Sequence, residues 1–75
     1  MEVKIYSTPT CPYCIMAKQY FSSKGIAYES VDVSADKTKS EEMVKLSGQM
    51  GVPVIVVDGH VITGFDKPKI DALLH

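Results

Sequence analysis

Two cysteines, Cys11 and Cys14, are the residues of this sequence most suited to chemistry, and Pro12 and Tyr13 separate them. They are the only cysteines in the chain, and their spacing allows the thiols to form and release one disulfide. The pair follows a short apolar run and begins a helical pattern, which places Cys11 at a helix N-terminus. Free backbone N–H groups and the helix dipole favour a thiolate there, and the thiolate is the attacking species. Cys14, three residues on, is expected to be less exposed and to resolve a mixed disulfide.

Two other interpretations of the cysteine pair are open. Free cysteines often pack as small apolar side chains, and an inert buried pair would follow from that tendency. Zinc is the second alternative, but a structural zinc site has four ligands, commonly from two CxxC-like pairs. Beyond the cysteines, only His60 and His75 offer ring nitrogens, at spacings unlike those of ordinary zinc sites. The sequence therefore favours a redox pair and predicts no metal site.

The composition limits the classes of function that the chain can have. It has 75 residues, of which 45% are hydrophobic, and a formal net charge of −1, which fits one domain over residues 1–75. All eight basic residues are lysines, so no arginine-containing face for nucleic acid is expected. No apolar run is long enough to span a bilayer, and the first ten residues lack a signal-peptide pattern. We expect a cytoplasmic monomer without nucleic-acid or membrane partners.

Apolar periodicity and turn signals predict seven elements in the order β-α-β-α-β-β-α. Pro12 suits a first helical turn, Gly25 suits a helix C-terminus, and Asp58-Gly59 is typical of a hairpin. Strands are expected over residues 3–7, 27–33, 54–57 and 60–63, and helices after Pro12, over 36–46, and around Ile70, Leu73 and Leu74. This order predicts a single α/β unit.

The second helix is expected to be amphipathic. Met43, Val44 and Leu46 form its predicted apolar stripe, and Met50, just beyond the helix, is expected to pack as well. Its charged residues, Glu42 among them, are expected to form a solvated face.

Three side chains outside the CxxC segment have structural interpretations on the residues alone. Aromatic residues at strand ends are usually core residues, which is the default for Tyr6 and Phe65. Lys18 lies two helical turns after Cys11 and is expected to be solvated rather than paired with a thiolate.

The dipeptide Val52-Pro53 opens the most apolar strand of the chain. Proline is tolerated at the first residue of a strand, and an X-Pro bond is cis in a few per cent of cases. A cis proline beside the dithiol would expose the backbone of Val52 to an extended substrate. The residues alone leave both isomers open.

In this order and at these separations, Ile5-Tyr6-Ser7, Cys-Pro-Tyr-Cys, Val52-Pro53 and Gly64 resemble the glutaredoxins over nearly the whole chain. The resemblance implies a thioredoxin-like α/β fold, with a four-stranded mixed sheet flanked by three helices. It also implies a cis Pro53 that faces the dithiol, Cys11 as the nucleophile and Cys14 as the resolving thiol. The residues that it implies for binding substrate or glutathione are Pro12, Tyr13, Gln49, Val52, Pro53, Gly64, Phe65 and Asp66.

Departures from the family pattern concern the glutathione site. Glutaredoxins usually have a lysine where this chain has Thr8, and Gly-Gly where it has Gly64-Phe65. Gly-Phe is closer to the redoxins that serve ribonucleotide reductase and are recharged by thioredoxin reductase. Gln49, however, stands where many glutaredoxins contact a glutathione carboxylate. Together these features resemble the short bacterial glutaredoxin-like proteins of the YruB group.

The resemblance implies a dithiol–disulfide oxidoreductase that depends on glutathione or on a reductase. Its expected substrates are disulfide-containing and glutathionylated proteins. No tightly bound cofactor is expected, and glutathione or another low-molecular-weight thiol is the expected co-substrate, with thioredoxin reductase as an alternative partner. The alternatives are an electron donor to ribonucleotide reductase and a dimer that binds a [2Fe–2S] cluster through Cys11 and glutathione. Pro12 argues against the cluster, because cluster-binding members more often have a small residue there.

Overall fold

Seven elements make up residues 1–74, the part of the chain that the computed structural model describes. They are β1 (Val3–Ser7), α1 (Pro12–Ser23), β2 (Glu29–Asp32), α2 (Lys37–Ser47), β3 (Val54–Val57), β4 (His60–Thr63) and α3 (Lys67–Leu73). Their order is the one predicted from the sequence. Strand β2 is shorter than the predicted range of 27–33, and α2 begins one residue later because Asp36 is its N-cap, accepting the backbone N–H of Thr38 at 2.9 Å.

The four strands form one mixed sheet in the order β2-β1-β3-β4. Strand β1 pairs in parallel with β2 and antiparallel with β3, which pairs antiparallel with β4. The hairpin between β3 and β4 turns through Asp58 and Gly59, which have φ angles of 48° and 86°, the left-handed conformation that a tight Asp-Gly hairpin requires. Helix α1 connects the parallel pair, as a crossover must. The expected thioredoxin-like fold is confirmed.

Side chains alternate between the two faces of the sheet, and each face has its own core. Helices α1 and α3 cover one face, where the buried residues are Val3, Ile5, Ala17, Phe21, Ile55, Val57, Ile62 and Ile70. Helix α2 covers the other face, where the buried residues are Tyr6, Val31, Met43 and Val54. Two helices on one face and one on the other leave the second face less completely covered.

The expectations for α2 are confirmed only in part. Met43 is buried, but Leu46 is 45% exposed and Met50 is 72% exposed, so packing of these two residues was wrongly expected. Leu46 instead lines a cavity beside β1, together with Lys4 and Val56. Glu42 is not simply solvated, because the hydroxyl of buried Tyr6 donates a hydrogen bond to its carboxylate at 3.0 Å.

Helix α1 begins and ends at the predicted signals. Cys11 is its N-cap and Pro12 occupies its first turn, where the missing N–H of proline costs no hydrogen bond. At the other end Lys24 is the C-cap and Gly25 follows with a φ of 70°, a conformation that favours glycine. These two ends fix the position of the cysteines relative to the sheet.

Within residues 1–74, no helix has both the length and the apolar character needed to cross a membrane.

Candidate active site

Cys11 is held at the point where β1 has ended and α1 begins. Its backbone N–H donates to the carbonyl of Thr8 at 3.4 Å, which closes the turn after β1. Its Sγ accepts the backbone N–H of Cys14 at 3.3 Å, as an N-cap side chain does. Cys11 is half-buried. The first thiol therefore sits at the open N-terminus of a helix, with one helical N–H directed at its sulfur.

Cys14 lies one turn further along α1 and faces the core, with none of its surface exposed. Burial, and after it the hydrogen bond with Cys11, raise the pKa of the Cys14 thiol to about 11, although the backbone of Thr8 and the charge of Lys18 act the opposite way. Cys14 is therefore a neutral thiol near pH 7. The two cysteines differ in accessibility, as the sequence predicted, and both are free thiols in this structure.

The peptide bond between Val52 and Pro53 is cis, as the family resemblance implied. The Sγ of Cys11 lies 3.9 Å from the carbonyl oxygen of Val52, a long contact in which the thiol donates. Pro53 is buried, and its carbonyl accepts the backbone N–H of Gly64 at 2.8 Å. Gly64 has a φ of 77°. Three segments far apart in sequence thus meet at the dithiol.

Predicted binding residues on the CxxC segment and on the loop before Pro53 are accessible. Pro12 is exposed, and Tyr13 is 62% exposed. Gln49 is exposed, and its backbone N–H and carbonyl both bond the hydroxyl of Ser47, at 3.3 and 3.0 Å. Val52 is half-buried. These positions leave Gln49 in the loop that leads to the cis proline, with its backbone anchored to the end of α2.

Phe65 and Asp66 follow Gly64, and both have structural contacts. The ring of Phe65 packs edge-on against Tyr20, with ring centroids 5.8 Å apart. The carboxylate of Asp66 caps α3 by accepting the backbone N–H of Lys69 at 3.3 Å, and it also pairs with the Lys69 ammonium at 3.9 Å. Their role in binding substrate stays a prediction.

Among residues 1–74, Lys18 forms no ion pair, but its charge acts on the site. It is half-buried, and its charge acts to lower the pKa of Cys14. The pKa of Asp32 is lowered mainly by hydrogen bonds from Ser34, and the charge of Lys18 adds the smallest contribution. For Cys14 this effect is smaller than that of burial. The signal in the sequence was the spacing of four residues from Cys14, which puts both side chains on one face of α1.

Within residues 1–74, no three His, Cys, Asp or Glu side chains converge in a way that could hold a metal ion.

Comparison with known proteins identifies the family. A family model described as glutaredoxin matches residues 3–62. An uncharacterized glutaredoxin-like 8.6 kDa protein in the rubredoxin operon of Clostridium pasteurianum is 53% identical over 72 residues, covering 96% of each chain. Glutaredoxin 3 of Escherichia coli K12 is 44% identical over 65 residues, which cover 87% of this chain and 78% of that protein.

The fold comparison agrees with the sequence comparison. The crystal structure of the thioredoxin-like protein BC3987 superposes with a TM-score of 0.88 at 30% identity, covering 95% of this chain and 97% of the other. The family match spans most of β1 to β4, including both cysteines and the cis proline. The chain therefore belongs to the glutaredoxin family, whose members are thiol–disulfide oxidoreductases.

Proposed function

We propose that this protein reduces protein disulfides and glutathione mixed disulfides, with Cys11 as the nucleophile and Cys14 as the resolving thiol. One observation carries the proposal: the two thiols are adjacent but unlike. Cys11 is accessible and receives a helical N–H at its sulfur, whereas Cys14 is fully buried with a raised pKa. Only the first thiol can meet an external disulfide, and the second lies next to it, where it can attack the mixed disulfide that results.

In the first step, the Cys11 thiolate attacks one sulfur of the substrate disulfide. A bond forms between Cys11 Sγ and that sulfur, the substrate S–S bond breaks, and the other sulfur leaves as a thiolate that takes a proton from water. The backbone N–H of Cys14 is directed at Cys11 Sγ at the N-terminus of α1, where backbone N–H groups interact favourably with negative charge. The backbone of Val52, next to Cys11 Sγ, is placed to pair with the substrate segment.

In the second step, Cys14 attacks Cys11 Sγ and releases the remaining substrate sulfur as a thiol. The substrate is reduced by two electrons, and the protein is left with a Cys11–Cys14 disulfide. Formation of the mixed disulfide removes the charge and the thiol hydrogen bond of Cys11, which both raise the pKa of Cys14. Cys14 therefore becomes more acidic at the moment when its thiolate is needed.

Two further thiols, or one flavin-dependent reductase, must then return the protein to the dithiol. With glutathione, one molecule attacks the Cys11–Cys14 disulfide and a second releases oxidised glutathione. Exposed Gln49 in the loop before Val52-Pro53 supports glutathione as this co-substrate, whereas Thr8 and Gly64-Phe65 support thioredoxin reductase and a role as donor to ribonucleotide reductase. We propose glutathione as the first candidate and the cytoplasm as the compartment, where such disulfides are transient.

The cysteine roles are tested with Cys11→Ser and Cys14→Ser as a matched pair. Cys11→Ser is expected to abolish reduction of both protein disulfides and glutathionylated proteins. Cys14→Ser is expected to lose only the reduction of protein disulfides, because glutathione can resolve the Cys11 mixed disulfide in its place. Retained activity in Cys11→Ser, or loss of both activities in Cys14→Ser, would mean that the roles are wrongly assigned.

The resolving step is also expected to depend on pH. Because burial raises the pKa of Cys14, its thiol is still mostly protonated at neutral pH, and its thiolate fraction keeps increasing as the pH rises towards alkaline values. Release of the second substrate thiol, followed by stopped flow after mixing with a chromogenic disulfide, should therefore accelerate with pH. A rate that stays constant from pH 6 to about pH 9, where an ordinary thiol ionises, would contradict the assignment of Cys14 as the resolving thiol.

The recharging system is tested by comparing two coupled assays on the same substrate. One supplies glutathione with glutathione reductase, and the other supplies thioredoxin reductase, each with NADPH. Turnover with glutathione alone supports the proposed co-substrate, and turnover only with thioredoxin reductase overturns it. Visible absorbance of an anaerobically purified sample tests the cluster-binding alternative in the same preparation.

A further inference from the structure

One face of α1 leads away from the dithiol and is partly exposed. Tyr13, Met16 and Tyr20 are spaced at i, i+3 and i+7 on this face, and Tyr13 lies between the two cysteines in sequence. Tyr13 and Met16 are 62% and 46% exposed. Further along, a surface groove of about 400 Å³ is lined by Met16, Gln19, Tyr20, Ser23, Phe65 and Lys67. We call this surface, Tyr13 together with the groove, the α1 groove.

Phe65, which lines the α1 groove on the side opposite α1, connects the groove to the active site. Phe65 follows Gly64, whose N–H bonds the carbonyl of Pro53, and its ring packs against Tyr20. A segment that pairs with the backbone beside Cys11 therefore meets the groove as it continues. Its walls near the dithiol are apolar and aromatic.

The far end of the α1 groove is cationic. The ammonium groups of Lys24 and Lys67 lie 5.2 and 5.4 Å from the centre of the Tyr20 ring, within range of a cation–π contact. Of the two nearby carboxylates, Asp66 pairs with Lys69, and Asp71 accepts the Tyr20 hydroxyl but keeps its charge, so Lys24, Lys67 and Lys69 together outnumber them by one. Among residues 1–74, neither Lys24 nor Lys67 forms an ion pair, since the two ion pairs found involve Lys39 and Lys69.

The charge distribution along the chain agrees with this local picture. Residues 3–28, which include β1 and all of α1, contain three lysines and no Asp or Glu, although the protein as a whole has a net charge of −1. Two of these lysines, Lys18 and Lys24, lie in α1 or at its C-cap, and α1 contains no acidic residue, so its side chains give a positive field. Such a field attracts anionic partners and raises their association rate.

We infer that the α1 groove binds an extended segment of the substrate protein, with an acidic residue of that segment at Lys24 and Lys67. Cys11 and Tyr20 are nine residues apart, which is about 14 Å along a helix. An extended chain covers that distance in about four residues. The favoured substrates would thus have Asp or Glu four or five residues from the cysteine that is attacked, with apolar residues between. This inference rests on the proposed function, because it assumes that Cys11 attacks a protein disulfide.

The test uses peptides with one cysteine in a mixed disulfide with thionitrobenzoate, whose release is followed by absorbance after mixing with the reduced protein. The acidic peptide has two Glu residues at the fourth and fifth positions on each side of the cysteine, and the basic peptide has Lys there. Each rate constant is divided by the rate constant with which dithiothreitol releases thionitrobenzoate from the same peptide. This ratio corrects for differences in the intrinsic reactivity of the two peptide disulfides. The acidic peptide is expected to react roughly 5- to 10-fold faster at low salt, because two exposed charge pairs are involved. In 1 M salt, where charges are screened beyond about 3 Å, this preference should disappear.

Charge reversal then locates the preference. The double variant Lys24→Glu with Lys67→Glu is expected to react faster with the basic peptide. If that variant does not fold, Lys24→Gln with Lys67→Gln replaces it and is expected to react equally fast with both peptides. Lys37→Glu with Lys45→Glu is the matched control, since it changes the net charge equally but on α2, and it should keep the preference for the acidic peptide.

Each outcome has a distinct meaning. Equal rates for the two peptides, or an equal shift in the α2 control, would overturn the inference while leaving the dithiol chemistry intact. If the unsubstituted protein releases thionitrobenzoate from neither peptide, the proposed function itself fails.

Discussion

One face of the sheet is closed by α1 and α3 over a buried core of eight residues, whereas the other is covered by α2 over four. The closed face carries the helix with both cysteines. The open face leaves a cavity of about 640 Å³ along the sheet, lined in part by Lys4, Val56 and Leu46. This difference between the two faces indicates that the closed core positions the dithiol. On the open face, the side chains around α2 have room to rearrange when one of them is truncated. Substitutions of similar size should therefore have unequal costs on the two faces.

Phe21→Ala should give the largest loss of stability. Phe21 is fully buried between α1 and the sheet and also contacts the rings of Tyr20 and Tyr28, with centroids 6.2 and 6.4 Å away. Removing a buried phenyl ring costs about 3–5 kcal/mol, and a domain of this length is stable by roughly 4–11 kcal/mol. Urea unfolding followed by circular dichroism should show a greatly reduced midpoint. A loss below about 1 kcal/mol would contradict the view that this face holds the fold together.

Met43→Ala tests the open face and should cost less, near the lower end of the range of about 2–5 kcal/mol for such truncations. Met43 is buried, but Leu46 on the same helix is 45% exposed beside the cavity, so neighbouring side chains have room to relax. Leu46→Ala is the matched control and should change the free energy of unfolding by less than about 0.5 kcal/mol. Equal costs for the two substitutions, in the same urea experiment, would show that α2 is packed evenly along its length.

The sequence predicted the elements and the centre of the site because each rests on local signals. Cys11, Pro12 and Gly25 mark the ends of α1 through capping chemistry, and Asp58-Gly59 marks the hairpin through its backbone conformation. The same residue types would give the same prediction in any fold. The cis isomer of Pro53 was different, because the residues left it open and the family resemblance decided it.

The features that the sequence did not predict are contacts between elements, and they depend on which element covers which part of the sheet. Leu46 and Met50 were expected to pack, yet both are exposed, since Leu46 borders the open cavity and Met50 follows the end of α2. Glu42 was assigned to a solvated face, although the hydroxyl of Tyr6, 36 residues away, donates to it. The α1 groove was also unforeseen, since Phe65 and Lys67 reach Tyr20 only through the tertiary fold. Periodicity describes one element at a time and contains no information on such contacts.

Tyr6→Phe should have the smallest effect of the three. It removes the hydroxyl that joins β1 to Glu42 of α2 but keeps the buried ring, so the expected loss is about 1 kcal/mol, as for one hydrogen bond. Burial, and then the bond to Glu42, raises the pKa of Tyr6 to about 12, and the same bond lowers the pKa of Glu42.

The sign of each pKa shift sets the pH range over which Tyr6→Phe should differ from the unsubstituted protein. For Tyr6 the folded pKa is the higher one, so its contribution is complete below about pH 10 and is lost as the pH rises towards 12. For Glu42 the folded pKa is the lower one, so its contribution is present above about pH 4.3 and is lost as the pH falls further. The difference in unfolding free energy between the two proteins should therefore be constant from about pH 5 to about pH 10 and shrink outside that range. A difference that does not change with pH would mean that the hydroxyl does not join α2 to the open face through the Glu42 carboxylate.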